Sequence, residues 1–428
     1  MLVFTKDFSN HVGAEVTVKG WLYNKRSSGH IIFLEIRDGY GFTQAVIAKK
    51  GAPEEAWNNA ELVTQESSIE VTGTVSKHPK KENVYELQVT NLKIIQLAKD
   101  YPIALKDHGP DFLMENRHLW LRSKRQWAIL RIRDAIKTAT HAYLHQEHFI
   151  SIDSPIFTPN ACEGTSTLFK VPYFDLGDAY LSQSGQLYIE AAIASVGRCY
   201  DFGPVFRAEK SKTKRHLTEF WMMDAEAAFV DHEHNLQIQE GLVRSIVRHC
   251  LEHCLEELAI LERDIENLKK VDAPFTRYTY DEAIKKLNEM GSDIKHGEDL
   301  GNDDEVLLTR DSSVPIFIEK WPKLIKPFYM KDKDSGLVLN DDLIAPEGGG
   351  EIIGGSQREE NVDVLIERIK HEGLNQADYE WYLDLRRFGA VPHSGFGMGL
   401  ERVVRWISGS EHIRECIPFP RTIGRLKP

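Results

Sequence analysis

The chain reads as an α+β protein in two parts, a small antiparallel β-barrel followed by a larger domain of helices and strands. Three observations predict this. Residues 1 to about 95 hold five short strand-like runs divided by turn sequences, and beyond residue 116 helical periodicity alternates with further strand-like runs. Between them, YPIALKDHGP carries two prolines and no periodicity. With 428 residues, 42% of them hydrophobic, the chain is long enough for two or three cores.

The first runs are EVTVKGWLY, IIFLEIRD, GFTQAVIA, SIEVTGTV and YELQVTNLKII, broken at Ser-Gly, Asp-Gly-Tyr-Gly and Lys-His-Pro-Lys. Five strands of this size predict an OB-fold, which commonly binds single-stranded nucleic acid, with a purely structural barrel or a sugar binder still open at this point. The expected domains are 1–100 for the barrel, 101–115 for a hinge, and 116–428 for the second domain, with a charged, weakly patterned insertion at about 259–330. Formal net charge is −12, yet residues 1–100 hold 12 Lys and Arg against 12 Asp and Glu, so the acidity lies in the remainder. Nucleic acid is not excluded, because the field that matters decays within about 8 Å at physiological salt. The opening MLVFTKDFSN has neither a basic segment nor an apolar one, and no run of eighteen apolar residues occurs, so the expectation is a cytoplasmic protein without a membrane span. Five scattered cysteines predict reduced thiols.

In the second part, Ile129, Ile132, Ala135, Ile136 and Tyr143 recur at helical spacing, and FISIDSPIF then reads as a strand carrying Pro155. A second helix is expected over 236–258. Its Cys250 and Cys254 sit in the apolar stripe while His249 and His253 flank it, so the four do not converge on a metal. Phe206 to Phe229, FRAEKSKTKRHLTEFWMMDAEAAF, reads as strand, basic loop and returning strand. It sets Arg207, Lys210, Lys212, Lys214, Arg215 and His216 against a surface with the Phe220 ring, and guanidinium groups with an aromatic face suit a nucleoside triphosphate. Gly395 to Arg402, GFGMGLER, reads as a glycine-rich strand that lets backbone approach a ligand, then a helix start delivering Arg402.

The helix and strand ending in Pro155, the hairpin at 206–229 and GFGMGLER together resemble motifs 1, 2 and 3 of the class II aminoacyl-tRNA synthetases. RHLTEFWM, GEIIGGSQRE, YEWYLDLRRFG, VPHSGFGMGLER and IPFPRT further resemble the asparaginyl-tRNA synthetases within the aspartate, asparagine and lysine subgroup, over nearly the whole length. The resemblance implies a class II catalytic domain, an antiparallel sheet flanked by helices, behind the OB-fold. It implies ATP and Mg²⁺ as cofactors, L-asparagine and tRNA(Asn) as partners, and a homodimer across the motif 1 helix and Pro155. It implies that Arg207 and Arg402 are catalytic, with Arg207 bridging α-phosphate and substrate carboxylate and Arg402 covering the γ-phosphate and one adenine face. Glu209 reads the adenine amino group, Phe220 stacks on the ring, Arg215 and His216 meet pyrophosphate, and Gly399 lies beside the nucleotide. Asp342 and Glu351 are the implied Mg²⁺ ligands. Glu163 grips the α-amino group, Ser184, Gln186 and Asp224 line the amino-acid pocket, and Arg358 meets the side-chain oxygen. Asp224 departs from the glutamate usual among these enzymes. An aspartate-specific relative places a lysine where this chain has Ile189, so the missing cation implies a neutral amide. On the barrel, Phe33 and Gln44 match the pair that reads the central anticodon uracil, with Lys25, Arg26 and Arg37 near phosphates. An aspartate-accepting enzyme, and a paralogue that does not charge tRNA, are the alternatives.

Overall fold

The structure, a computed structural model, describes residues 1–162, 167–211, 213–333 and 336–428. Glu163 and Lys212, both named above, therefore lie outside the described residues. The chain forms two compact units, Met1–Leu113 and Met114–Pro428.

In the first unit, β1 (Glu15–Ser28), β2 (Ile31–Arg37), β3 (Phe42–Ala48), β4 (Ser68–Lys77) and β5 (Tyr85–Gln96) close a barrel in the order β1-β2-β3-β5-β4. Period-two alternation puts Val16, Val18, Ile32, Leu34, Ile36 and Ile47 inside, and a one-residue slip would turn Thr17, Lys19 and Glu35 inward instead. A short helix that the periodicity did not reveal, α1 (Glu54–Leu62), adds Ala56, Trp57 and Ala60 to the same core.

In the second unit, the described strands β6 (Ile150–Ser151), β7 (Arg198–Phe206), β8 (Glu219–Ala228), β9 (Thr276–Thr279), β10 (Ile316–Glu319), β11 (Asn340–Ala345), β12 (Gly350–Gln357) and β13 (His393–Gly399) form one sheet, ordered β9-β10-β11-β12-β13-β8-β7-β6. Every neighbouring pair from β10 to β7 is antiparallel, whereas β9 and β6 join the two edges in parallel. The expected antiparallel sheet thus describes the central strands. Its edge strands have four and two residues, too short to carry a pattern, and Pro155 falls beyond the two-residue strand it was expected to share.

Helix α2 (Lys124–Gln146), capped by Ser123, and α4 (His232–His253), capped by Asp231, cover one sheet face. Between them in sequence lies α3 (Gln186–Val196). The helix expected over 236–258 is interrupted, because Cys254 takes φ −127° and a new turn spans Leu255–Ile260. All five cysteines are free and buried. The sheet is buried on both faces, as β10 shows: Phe317 joins the α2–α4 core while Ile316 and Ile318 join the opposite one.

Residues 259–330, expected as a charged insertion, supply β9, β10 and helix α5 (Asn302–Thr309). Glu319 ties these pieces together. It accepts from Arg277 Nε at 2.6 Å and lies 3.2 Å from His232 Nε2. Burial opposes the ionised carboxyl, but the hydrogen bonds from His232 and Arg277 prevail and hold it at about 2. Its folded value lies below the unfolded one, so its contribution is complete above about 4.5 and is lost as pH falls toward 2. Glu319→Gln should lower the unfolding free energy at pH 7 by about 2 kcal/mol. Chemical unfolding over a pH series should show that gap closing on acidification, and a constant gap contradicts the assignment.

Candidate active site

Alternation along β8 and β13 builds the site. Met223, Ala225 and Ala227 of β8, with Phe396 and Met398 of β13, enter the helix-covered core. The intervening Asp224 and Glu226 therefore face the other way, over Gly397 and Gly395. A Cβ at Gly395 would overlap Glu226 Oε2, and one at Gly397 would stand 2.7 Å from Asp224 Oδ1. The glycines of GFGMG are the clearance that lets two carboxylates cross the neighbouring strand.

Beside them is a cavity of about 120 Å³. Arg207, Glu209, Arg215, His216, Phe220, Glu351, Gly399 and Arg402 all line it, so every residue expected at ATP converges on one space. The Arg207 guanidinium carbon lies 5.5 Å from the Phe220 ring centre. Arg402 starts from helix α6 (Leu400–Ser408) and donates from Nη1 to Glu351 O at 2.7 Å and Oε2 at 3.2 Å. His216 Nε2 lies 3.3 Å from Glu209 Oε2. Burial holds the imidazole below its usual value, Glu209 pulls the other way, and Arg402, Arg215 and Arg207 add to the lowering, so it is neutral at pH 7. Arg215 donates from Nη1 to Asn302 Oδ1 at 2.7 Å and from Nη2 to Glu305, both on α5.

Asp342 and Glu351 also converge. The space left by the missing Gly354 side chain is centred 3.2 Å from Glu351 Oε1 and 3.8 Å from Asp342 Oδ1. Two carboxylates completed by phosphate oxygens form an ordinary Mg²⁺ set, and among the described residues no group of three His, Cys, Asp or Glu does so unaided. The residues fit the ion, with one amendment: Asp342 Oδ2 is occupied by Lys326 Nζ at 2.7 Å. Burial pushes the Asp342 carboxyl up to about 7, with Lys326 opposing.

The expected amino-acid residues form a hydrogen-bonded group. Ser184 Oγ and Gly185 N each donate to Asp224 Oδ2 at 2.9 Å, and Gln186 Nε2 donates to Glu190 Oε1 at 3.0 Å. Arg358 is fully engaged with Glu226, Nη2 to Oε2 at 2.8 Å and Nε to Oε1 at 3.1 Å, while Nη1 donates to Ser356 Oγ at 2.7 Å. A guanidinium does not deprotonate, so Arg358 keeps its charge, while burial pushes the Glu226 carboxyl up from its ordinary range with Arg358 opposing. Glu190 is held by Arg386 Nη2 at 2.6 Å, Tyr382 Oη at 2.7 Å and His393 Nε2 at 3.2 Å. Burial opposes its ionisation, but Arg386 and His393 hold its carboxyl below the usual range. Ile189, expected to decide the substrate, instead packs with Ile193 and Cys199, so Glu190, Glu226, Arg358 and Arg386 set the local charge.

On the barrel, Phe33 is half-buried on the outer face, with the Arg26 guanidinium 5.9 Å from its ring centre. Arg26 Nη2 donates to Gln44 Oε1 at 3.2 Å, and Gln44 Nε2 donates to Glu86 Oε1 at 2.6 Å. Phe33, Arg26 and Gln44 thus come together. Lys25 and Arg37, expected at phosphates, are engaged elsewhere. Lys25 Nζ caps the end of α1 on Glu61 O at 2.7 Å and Val63 O at 2.8 Å, and Arg37 forms a buried two-pronged pair with Glu66 at 2.9 Å.

A family model described as class II tRNA synthetases (D, K and N) matches residues 109–423. The chain belongs to the class II tRNA synthetases. An OB-fold nucleic acid binding domain matches residues 16–95 of the synthetase. It is 51% identical to the asparagine-tRNA ligase of Pelotomaculum thermopropionicum over 428 residues, covering 100% of this chain and 99% of that one. Its structure matches asparaginyl-tRNA synthetase from Pyrococcus horikoshii complexed with asparaginyl-adenylate, with TM-score 0.95, 42% identity and full coverage of both chains. The aspartyl tRNA synthetase of Entamoeba histolytica also matches, at TM-score 0.82 and 26% identity, covering 100% of this chain and 93% of that one. The fold is therefore shared across amino acids, and the choice between them lies in the pocket.

Sequence reading missed Glu226 and Arg386 as pocket residues, and Lys326, Asn302 and Glu305 near the nucleotide cavity. Glu226 was findable, since it lies two residues beyond Asp224 and shares its strand face. For the barrel of the synthetase, stacking of a base on an aromatic ring is worth about 1–3 kcal/mol. Phe33→Ala should therefore raise KM for tRNA about tenfold in aminoacylation while leaving ATP-pyrophosphate exchange unchanged. Equal loss in both assays would show that Phe33 is structural.

Proposed function

We propose that this synthetase ligates L-asparagine to tRNA(Asn) through an asparaginyl-adenylate. The observation that carries the amino-acid choice is the buried Arg358–Glu226 pair, since the cation nearest the substrate side chain already has its carboxylate. With Glu190 set against Arg386, the two buried arginines are balanced by two carboxylates, and Asp224 adds a further acid beside them. A neutral carboxamide enters without disturbing that balance, whereas an aspartate would bury an uncompensated charge. The similarity to asparagine-tRNA ligases supports the same reading.

All the nucleophiles come from substrates, so the protein positions them and stabilises charge. Arg207 draws the asparagine carboxylate to the α-phosphate, where attack expels pyrophosphate. Arg402, Arg215 and the neutral His216 receive the leaving charge, while Phe220 and Glu209 hold the adenine. A hydroxyl of the terminal ribose of tRNA then attacks the adenylate carbonyl, forming the ester as AMP departs. Asp342 and Glu351 would hold Mg²⁺, which neutralises phosphate charge when bound. Phe33, Gln44 and Arg26 meet the anticodon. The proposal includes a homodimer across α2 and Pro155, acting in the cytoplasm; among the described residues no helix is long and apolar enough to cross a membrane.

Charging of unfractionated tRNA with labelled asparagine and labelled aspartate tests this. Asparagine on tRNA(Asn) is the expected product. Comparable aspartate incorporation would establish an aspartate-accepting enzyme, and adenylate without acylated tRNA a paralogue that does not charge tRNA.

A further inference from the structure

Helix α5 sits in the charged stretch that sequence reading left without a role, yet its first turn reaches the wall of the nucleotide cavity. Arg215 lines that cavity, and its guanidinium lies flat on Gly350, where an added Cβ would stand 2.7 Å from the guanidinium carbon. Two side chains of α5 grip it there, Asn302 and Glu305. The same Glu305 Oε2 accepts from the backbone N of Glu351 at 3.2 Å, and Glu351 in turn accepts from Arg402. One buried carboxylate therefore fixes both the cation of the basic loop and the strand that carries Glu351. Burial pushes that carboxyl up from its ordinary value, with Arg215 opposing.

We infer that Glu305 is a positioning residue for the triphosphate end of the nucleotide site. It holds Arg215 on Gly350 and Glu351 against Arg402, so that cations and carboxylate stand ready for the β- and γ-phosphates. It does not touch the nucleoside end, where Phe220 and Glu209 act. The inference rests on reading the cavity as an ATP site, not on which amino acid is activated.

This separation makes the role measurable. Calorimetric titration of the full-length protein with ATP, and separately with AMP, needs no amino acid. Glu305→Gln keeps the side-chain volume and removes the charge, and Asn302→Ala removes the other grip of α5 on Arg215. Both variants should bind ATP about tenfold more weakly, with AMP affinity unchanged within twofold, because AMP lacks the β- and γ-phosphates. Equal loss for ATP and AMP would mean a merely structural role and overturn the inference. So would unchanged or tighter ATP binding, which would mean that Glu305 withholds Arg215 instead of placing it. Failure of the wild-type protein to use asparagine would overturn the functional reading and leave these outcomes just as informative.

Discussion

The pocket depends on one buried ion pair, Arg358 with Glu226, whose side chains are 3% and 0% exposed. Such a pair persists only where geometry supplies several hydrogen bonds, since either charge alone would be costly in that position. Here Arg358 leaves the end of β12, Glu226 rises from β8, and Gly395 on the strand between them supplies the clearance. The alternation of β8 makes this possible, because the residues flanking Glu226 are committed to the core on the other face.

The nucleotide side follows the same logic with more partners. Glu351 pairs with Arg402, faces Asp342 across the Gly354 gap, and is tied through its backbone to Glu305. Lys326, held over the Trp321 ring at 3.8 Å, neutralises Asp342. Arg215, Arg402 and Lys326 thus each meet a carboxylate before any phosphate arrives, which keeps this cluster of cations compatible with a folded protein. Binding a polyphosphate exchanges some of these contacts and need not create the order from nothing.

What could be read beforehand followed the range of the interaction. The five barrel strands and the hairpin with its basic loop and Phe220 are set by local spacing and were legible in it, whereas Glu209, Glu351 and Gly399 were named only through the resemblance to the family. Some charged side chains were misread because their partner is far away in sequence. Lys25 and Arg37 look like hands for phosphate until the fold brings Val63 and Glu66 against them, 38 and 29 residues away. The Arg358–Glu226 pair spans 132 residues, and Ile189 could not reveal that its side chain turns into an apolar cluster. Glu305 and Lys326 lie in the stretch with the weakest pattern, because α5 spans only 8 residues and β10 only 4.

The central claim is that Glu226 cancels the charge of Arg358 and so favours an uncharged side chain. Pyrophosphate exchange by wild type and by Glu226→Gln, each with asparagine and with aspartate, measures it most directly. The account predicts that releasing the guanidinium lowers the asparagine-to-aspartate ratio of kcat/KM by about tenfold or more, ~1.4 kcal/mol of discrimination. A ratio equal to that of the wild type would contradict it.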